Sequence, residues 1–327
     1  MGYDAERSLT LGVDIGGTKI RVAMVDVRGR IIVPYQHSTT IDKDFEDIVS
    51  DVLLSIKDCI DKSKRKAEAL GIGVAGQVDP DGVVVSSPNL KWENAPLKKR
   101  IQEEIGLPTI VVNDVRAATA GEWRAGSGIG INNLVALFVG TGIGGGVVVG
   151  GRMMIGRSNI GGELGHMTIV TNGRKCHCPN LGCLEAYASG WAIADRAKEA
   201  VIANPSAGQC LLSLAGKIEN ITAITVSKAL RKGDCLAHFL VEETGQYLGA
   251  GAVSIVNAFD PFLLILGGGV IEGLPELITI VEKHVRERAL KIAAKNFRVV
   301  KASLGKNAGM VGAATLARAE LLENYRF

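Results

Sequence analysis

At 327 residues the chain has room for two cores at the ~100–200 residues usual for a domain, which excludes a miniprotein that folds only around metal or disulfides. Hydrophobic residues make up 47% and charged residues 22%, a globular composition, and 41 glycines, nearly twice the average share of about 7%, call for many tight turns. Lys plus Arg number 37 against 34 Asp plus Glu, so the +3 charge supplies no field strong enough to hold nucleic acid or a membrane, and neither is expected as a partner.

The first residues carry charges where a secretory apolar stretch would sit, and no apolar run nears the ~18 residues of a membrane span. A cytoplasmic location is therefore expected. Leu9 to Ile15 and Ile20 to Asp26 read as strands joined by a Gly16-Gly17 turn, with a third strand over Ile31 to Val33. Phe45 to Lys66 has helical spacing, Leu70 to Ala75 returns to strand, and Thr109 to Asn113 is a strand running into a helix from about Val115. Residues 122–133, rich in glycine and polar groups, read as a hinge. A second pass then begins: strand Asn133 to Val139, turn Gly140 to Gly146, strand Val147 to Val149. This echo of the opening hairpin points to a duplicated α/β domain. Helices follow over Trp191 to Ala203, Val226 to Arg231, Ala237 to Phe259 and Pro275 to Lys295, with a buried strand from Phe262 to Leu266 entering Gly267-Gly268-Gly269. A last helix spans about Met310 to Leu322. The expected domains are 1–120, rejoined by a helix at about 308–327, and 121–307.

Strand-Asp14-Ile-Gly16-Gly17-Thr18-Lys19-strand is a turn in which glycines let the backbone approach an anion, Thr18 adds a hydroxyl and Lys19 a charge. Asp14 would be repelled by phosphate but can hold the waters of a Mg²⁺ that bridges phosphates. Gly140-Thr141-Gly142-Ile143-Gly144-Gly145-Gly146 repeats that geometry, so two cradles can clasp a polyphosphate. Neither opens a helix, which excludes both a Walker loop and a dinucleotide fingerprint. Gly71-Ile72-Gly73-Val74-Ala75-Gly76 matches G-x-G-x-x-G literally but lies within a strand pattern and is read as a decoy.

His166, Cys176, Cys178 and Cys183 form H-x9-C-x-C-x4-C, four donors suited to a closed, structural Zn²⁺ site, with His177 turned away from the metal. Glu163 and Glu185 flank this knot, and carboxylates beside an imidazole offer acceptors for the hydroxyls of a polyol. Asn113-Asp114 closes a strand and opens a helix, so Asn113 and Asp114 are candidates for capping, and Asp114 also for accepting a hydroxyl proton as that oxygen attacks a γ-phosphate. Asn89 falls in a loop and is a candidate ligand contact.

These segments, together with Ser87-Pro-Asn-Leu90, Trp92 and Gly162-Glu-Leu-Gly-His166, resemble in order the motifs of the ROK (repressor, ORF, kinase) family, and most of all its glucokinases. The resemblance implies a duplicated actin/hexokinase-like, ribonuclease H-like, two-domain ATPase fold, with ATP and Mg²⁺ in an interdomain cleft and transfer of the γ-phosphoryl group to a hexose 6-hydroxyl. By motif position Asp114 would be the general base. Asn113, Glu163, His166 and Glu185 would bind sugar hydroxyls, Gly76 would add a backbone contact, and Gly268 and Gly269 would lie under the adenosine. A homodimer or homotetramer is implied as well. Arg116, Gln77 and Pro179 depart from the common family pattern and bear on substrate preference and on the metal loop. An N-acetylmannosamine or other hexose kinase is the alternative enzyme. A sugar-sensing repressor is disfavoured because the first strand at Leu9 leaves no room for a helix-turn-helix.

Overall fold

A computed structural model describes residues 8–17, 19–38 and 44–323. The strands are β1 (Leu9–Ile15), β2 (Lys19–Asp26), β3 (Ile31–Ser38), β4 (Ala69–Val74), β5 (Gln77–Val78), β6 (Val84–Ser87), β7 (Trp92–Ala95), β8 (Thr109–Asn113), β9 (Leu134–Val139), β10 (Ile143–Val149), β11 (Arg152–Met153), β12 (Leu263–Gly267) and β13 (Arg298–Lys301). The helices are α1 (Phe45–Ser63), α2 (Leu97–Ile105), α3 (Asp114–Ala125), α4 (Glu185–Ala188), α5 (Gly190–Ala203), α6 (Gln209–Ala215), α7 (Ala223–Arg231), α8 (Cys235–Phe259), α9 (Gly269–Gly273), α10 (Glu276–Arg288), α11 (Lys291–Ala294) and α12 (Ala308–Ala317).

One five-stranded sheet runs β3-β2-β1-β4-β8 and another β11-β10-β9-β12-β13. In the first, β1 pairs antiparallel with β2 and parallel with β4. In the second, β12 pairs parallel with both β9 and β13. The same spatial order arises twice, so the opening hairpin and its echo are the corresponding parts of a duplicated α/β fold. A three-stranded sheet, β5-β6-β7, was not expected. The chain divides into two compact units, 1–132 with 146–162 and 303–327, and 133–145 with 163–302. Residues 121–132, 146–162 and 303–307, grouped with the later half on sequence, thus lie with the earlier unit.

Central β1 and β4 are almost entirely buried, which explains their unbroken apolar character. β3 runs on to Ser38, past the expected end at Val33, because Pro34 occupies an edge strand, where no ladder hydrogen bond is demanded of it on the outer side. α1 stops at Ser63 rather than Lys66: Lys64 turns left-handed (φ 52°) and its N–H closes on the Ile60 carbonyl at 3.0 Å. The expected Pro275 to Lys295 helix is split into α10 and α11 because the N–H of Leu290 is taken by the Asn257 side chain, 2.9 Å away on α8.

The decoy glycines have a packing role. Gly12 and Gly71 are register partners on β1 and β4, and a Cβ at either would lie 1.8 Å from the Met310 carbonyl oxygen or 1.9 Å from that of Ala313. α12, itself Gly- and Ala-rich, therefore rests directly on the sheet backbone. Likewise the turn expected over Gly140 to Gly146 is short. β10 already begins at Ile143, and Gly146 is glycine because a Cβ there would meet the Thr119 hydroxyl on α3 at 2.2 Å. Among the described residues no helix is long and apolar enough to cross a membrane.

Candidate functional site

In the first unit, β8 hands directly over to α3. Asn113 is the N-cap, its Oδ1 accepting from the N–H groups of Val115 (2.9 Å) and Arg116 (3.0 Å). Its amide nitrogen donates to the Gly76 carbonyl at 3.1 Å. Asp114 is the first helical residue, half-buried, with Oδ1 accepting from the Val115 N–H at 2.9 Å. The helix N-terminus stabilises a carboxylate in that place. Gly76 has φ +154°, and a Cβ would meet the Ser86 carbonyl at 2.7 Å, so its backbone is pressed against β6. Asn89 is exposed in the turn between β6 and β7. The structure thus brings Asn113, Asp114 and Gly76 together and leaves Asn89 at the surface.

Asp14 is the last residue but one of β1, beside the tight turn closed by the Gly16 N–H to the Lys19 carbonyl at 3.0 Å. Burial pushes the Asp14 carboxyl up from its ordinary value, against the opposing pull of the Arg21 guanidinium 3.1 Å away. A Cβ at Gly309 would come within 3.0 Å of Asp14 Oδ1, so the backbone at the start of α12 packs closely against this carboxyl. A carboxylate at this place is a donor of the type that suits the waters of a hydrated divalent cation. Lys19 is exposed, Gly17 half-buried, and Thr18 lies outside the described residues.

In the second unit, the ligand atoms of His166, Cys176, Cys178 and Cys183 all lie within 4.8 Å of one another. His166 Nδ1 is 3.7 Å from Cys176 Sγ, and Cys178 Sγ is 3.7 Å from Cys183 Sγ. Thiolates about 2.3 Å from a tetrahedral zinc stand about 3.8 Å apart, so the donor set matches that ion in kind and in size. Burial, first among the causes, pushes the Cys176 thiol up to about 12. His177 is outside the cluster and stacks on the Trp191 ring, centroids 4.2 Å apart.

This cluster is fastened to the second glycine turn. Glu185, the first residue of α4, accepts from the Ile143 N–H at 2.8 Å through Oε2 and places Oε1 3.9 Å from Cys176 Sγ. A Cβ on Gly142 would lie 2.4 Å from Glu185 Oε2, and one on Gly165 2.0 Å from the Ile143 carbonyl. The turn is closed by the Gly140 N–H to the Gly142 carbonyl at 2.9 Å, with Thr141 exposed at its tip. Glu163 is exposed and His166 half-buried with Nε2 turned from the thiols. Gly268 has φ +90° with a Cβ position only 2.4 Å from the Val139 carbonyl, whereas Gly269 faces open space.

Comparison with known proteins decides the family. Residues 10–320 match the sequence profile of the ROK family. The chain belongs to the ROK family. A glucokinase of Streptomyces coelicolor is 35% identical over 316 residues, covering 95% of this chain and 98% of that protein. The crystal structure of a ROK family glucokinase from Streptomyces griseus in complex with glucose and AMPPNP superposes with a TM-score of 0.83 at 37% identity, covering 95% of this chain and 99% of that one. The xylose repressor of Bacillus spizizenii is 29% identical over 325 residues, 98% of this chain and 80% of the repressor. Likeness to glucokinases along nearly the whole length makes this ROK chain a hexose kinase, and the duplicated fold is the one its relatives share.

Two features escaped the sequence reading. Arg116, noted only as a departure, is buried and donates to both oxygens of Asn159. Glu122, fully buried, accepts from the N–H groups of Ser127, Ser303 and Leu304 at 2.7 to 3.1 Å and so pins the approach to α12. Neither has a sequence signal, because Asn159 lies 43 residues from Arg116, and of the Glu122 partners only Ser127 is near in the chain while Ser303 and Leu304 lie about 181 residues away.

Proposed function

We propose that the chain transfers the γ-phosphoryl group of ATP to the 6-hydroxyl of a hexose, with glucose as the preferred acceptor. The observation that carries the reading is Asp114 at the start of α3, braced through Asn113 to the Gly76 backbone. In this reading the hexose 6-oxygen attacks the γ-phosphorus, the bond from phosphorus to the bridging oxygen of ADP breaks, and Asp114 accepts the hydroxyl proton. Asn113 and the Gly76 backbone in the first unit, and Glu163, Glu185 and His166 Nε2 in the second, are the candidates for the remaining hydroxyls, while Asn89, at the surface, has no contact among the described residues that supports its expected part.

Gly16, Gly17, Thr18 and Lys19 in one glycine turn, and Thr141 and Gly142 in the other, are each candidates to receive nucleotide phosphates, and Gly268 and Gly269 would lie under the adenosine. Asp14 holds waters of Mg²⁺, which when bound supplies positive charge to the phosphates. His166, Cys176, Cys178 and Cys183 hold a structural Zn²⁺, which when bound ties the loop that carries Glu185 and His166. We take the assembly to be a homodimer or homotetramer, which sedimentation would measure.

The test is ADP release with Mg-ATP against glucose, mannose, fructose and N-acetylmannosamine, with NMR to locate the phosphate. Glucose 6-phosphate as the main product supports the reading. Turnover confined to N-acetylmannosamine favours the alternative kinase. Absence of turnover with sugar-dependent DNA binding favours a regulator, which the match to the xylose repressor supports.

A further inference from the structure

We propose that Arg116 is a positioning residue for the hexose half of the reaction and acts through Asn159. It rests on the reading of Asp114 as the base. Arg116 sits in the first turn of α3, two residues past Asp114, and is only 7% exposed. Its Nη1 donates to Asn159 Oδ1 and its Nη2 to the Asn159 carbonyl, a planar fork gripping two oxygens of one residue. Asn159 passes the grip on: its amide nitrogen donates to the Val78 carbonyl at 2.9 Å and approaches that of Asp79 at 3.4 Å.

Asn159 is itself held in the left-handed region, φ 62°, inside a turn closed by the Gly161 N–H to the Ile155 carbonyl at 2.9 Å. Such a conformation persists where neighbours over-determine it, and here four hydrogen bonds to one asparagine do so. One side chain thereby joins three pieces of backbone: the turn of helix carrying Asp114, the end of β5, and the 155–161 turn. Each joined piece abuts a candidate hexose contact. β5 begins immediately after Gly76, and the 155–161 turn runs through Gly162 into Glu163. The Asn113 to Gly76 bond and the Arg116 to Asn159 to Val78 chain are thus two braces from the same helical turn. Neither brace includes any residue of the Asp14 to Lys19 turn. Loosening the second brace should therefore weaken the hold on the sugar and spare the nucleotide.

Arg116 and Asn159 also wall a cavity of about 410 Å³, so truncating either enlarges an existing space and opens no new void in the packed core. The experiment measures KM for glucose and for ATP separately, with melting curves, for Arg116→Ala, Arg116→Lys, Asn159→Gly and the Arg116→Ala/Asn159→Gly double variant. Asn159→Gly keeps the left-handed backbone and removes only the amide. We expect Arg116→Ala and Asn159→Gly each to raise KM for glucose about tenfold with KM for ATP within about twofold. The double variant should be no worse than Arg116→Ala, since both remove one brace. Arg116→Lys should recover part of the loss, because an ammonium reaches a single acceptor. Equal changes in both KM values, additive single losses, or a lowered melting point with unchanged kinetics would each overturn the proposal. Asp114→Asn is assayed alongside. Full turnover there removes the base reading while the KM split still judges Arg116, and a dead Asp114→Asn with no KM split for Arg116 removes the positioning role alone.

Discussion

The side-chain amide of Asn113 spans two elements, its oxygen capping α3 while its nitrogen donates to the Gly76 carbonyl at 3.1 Å. Asn113→Asp keeps the cap and loses the donor, whereas Asn113→Ala loses both. Asn113→Ala should cost about 1 kcal/mol of stability through the cap, and Asn113→Asp, which keeps the cap, should also melt below wild type because its carboxylate faces the Gly76 carbonyl where the amide donated. Both should lower kcat/KM for the hexose. Activity surviving in Asn113→Asp at the wild-type level would show that the bond to Gly76 has no part in catalysis.

Asp114 is half-buried at the first position of a capped helix, so replacing it disturbs little packing. Asp114→Asn should melt within a few degrees of wild type and lose about 10²- to 10⁴-fold in kcat, the usual contribution of a positioned general base. Steady-state ADP release reads this directly.

Gly71 and Gly269 should separate packing from binding. Gly71→Ala drives a Cβ to 1.9 Å from a carbonyl oxygen of α12, so it should destabilise by about 3 kcal/mol, at the upper end of overpacking costs. Gly269→Ala meets nothing within 4 Å and should leave the melt unchanged while raising KM for ATP. A rise in KM for glucose with none for ATP would move the adenosine away from this loop.

The Cys/His knot predicts bound metal in stoichiometric amount. Elemental analysis of the purified protein should find zinc, and Cys183→Ser should abolish it, since Cys183 is a fully buried member of the four-donor set. Chelation should lower the melting point and raise KM for the hexose by releasing His166 and Glu185. Cys210→Ser, outside the cluster, should retain the metal.

Asp26 sets an acid limit on the first sheet. Burial raises its carboxyl, but the backbone and side-chain N–H groups of Arg30 and the backbone N–H of Arg28 outweigh this and hold it below its ordinary value. A carboxyl lowered on folding contributes stability that is full above its unfolded value of about 3.9 and is lost as pH falls through the folded value. Asp26→Asn should therefore cost about 1.5 kcal/mol or more at pH 7, the range for hydrogen bonds to a charged group, and the gap to wild type should close below about pH 4. A gap independent of pH would assign the loss to geometry.

Much of the site was legible because its chemistry is local. Asn113 next to Asp114 at a strand end, and four metal donors within 18 positions, need only short-range geometry to be recognised. The β5-β6-β7 sheet was missed because its strands are two to four residues long and β-propensity in so short a run is indistinguishable from loop. The break between α10 and α11 was missed because its cause is Asn257 on another helix.

Local pattern thus determined the element types, the duplication and the candidate donors, since periodicity, glycine turns and ligand spacing act over a few residues. Tertiary structure decided which glycines are structural and which are open, that Glu185 serves the Ile143 turn, and that Arg116 grips Asn159. Those outcomes depend on the approach of backbones and side chains that are distant in the chain. A steric limit of a few tenths of an ångström or a hydrogen bond across some forty residues leaves no periodic trace in the sequence.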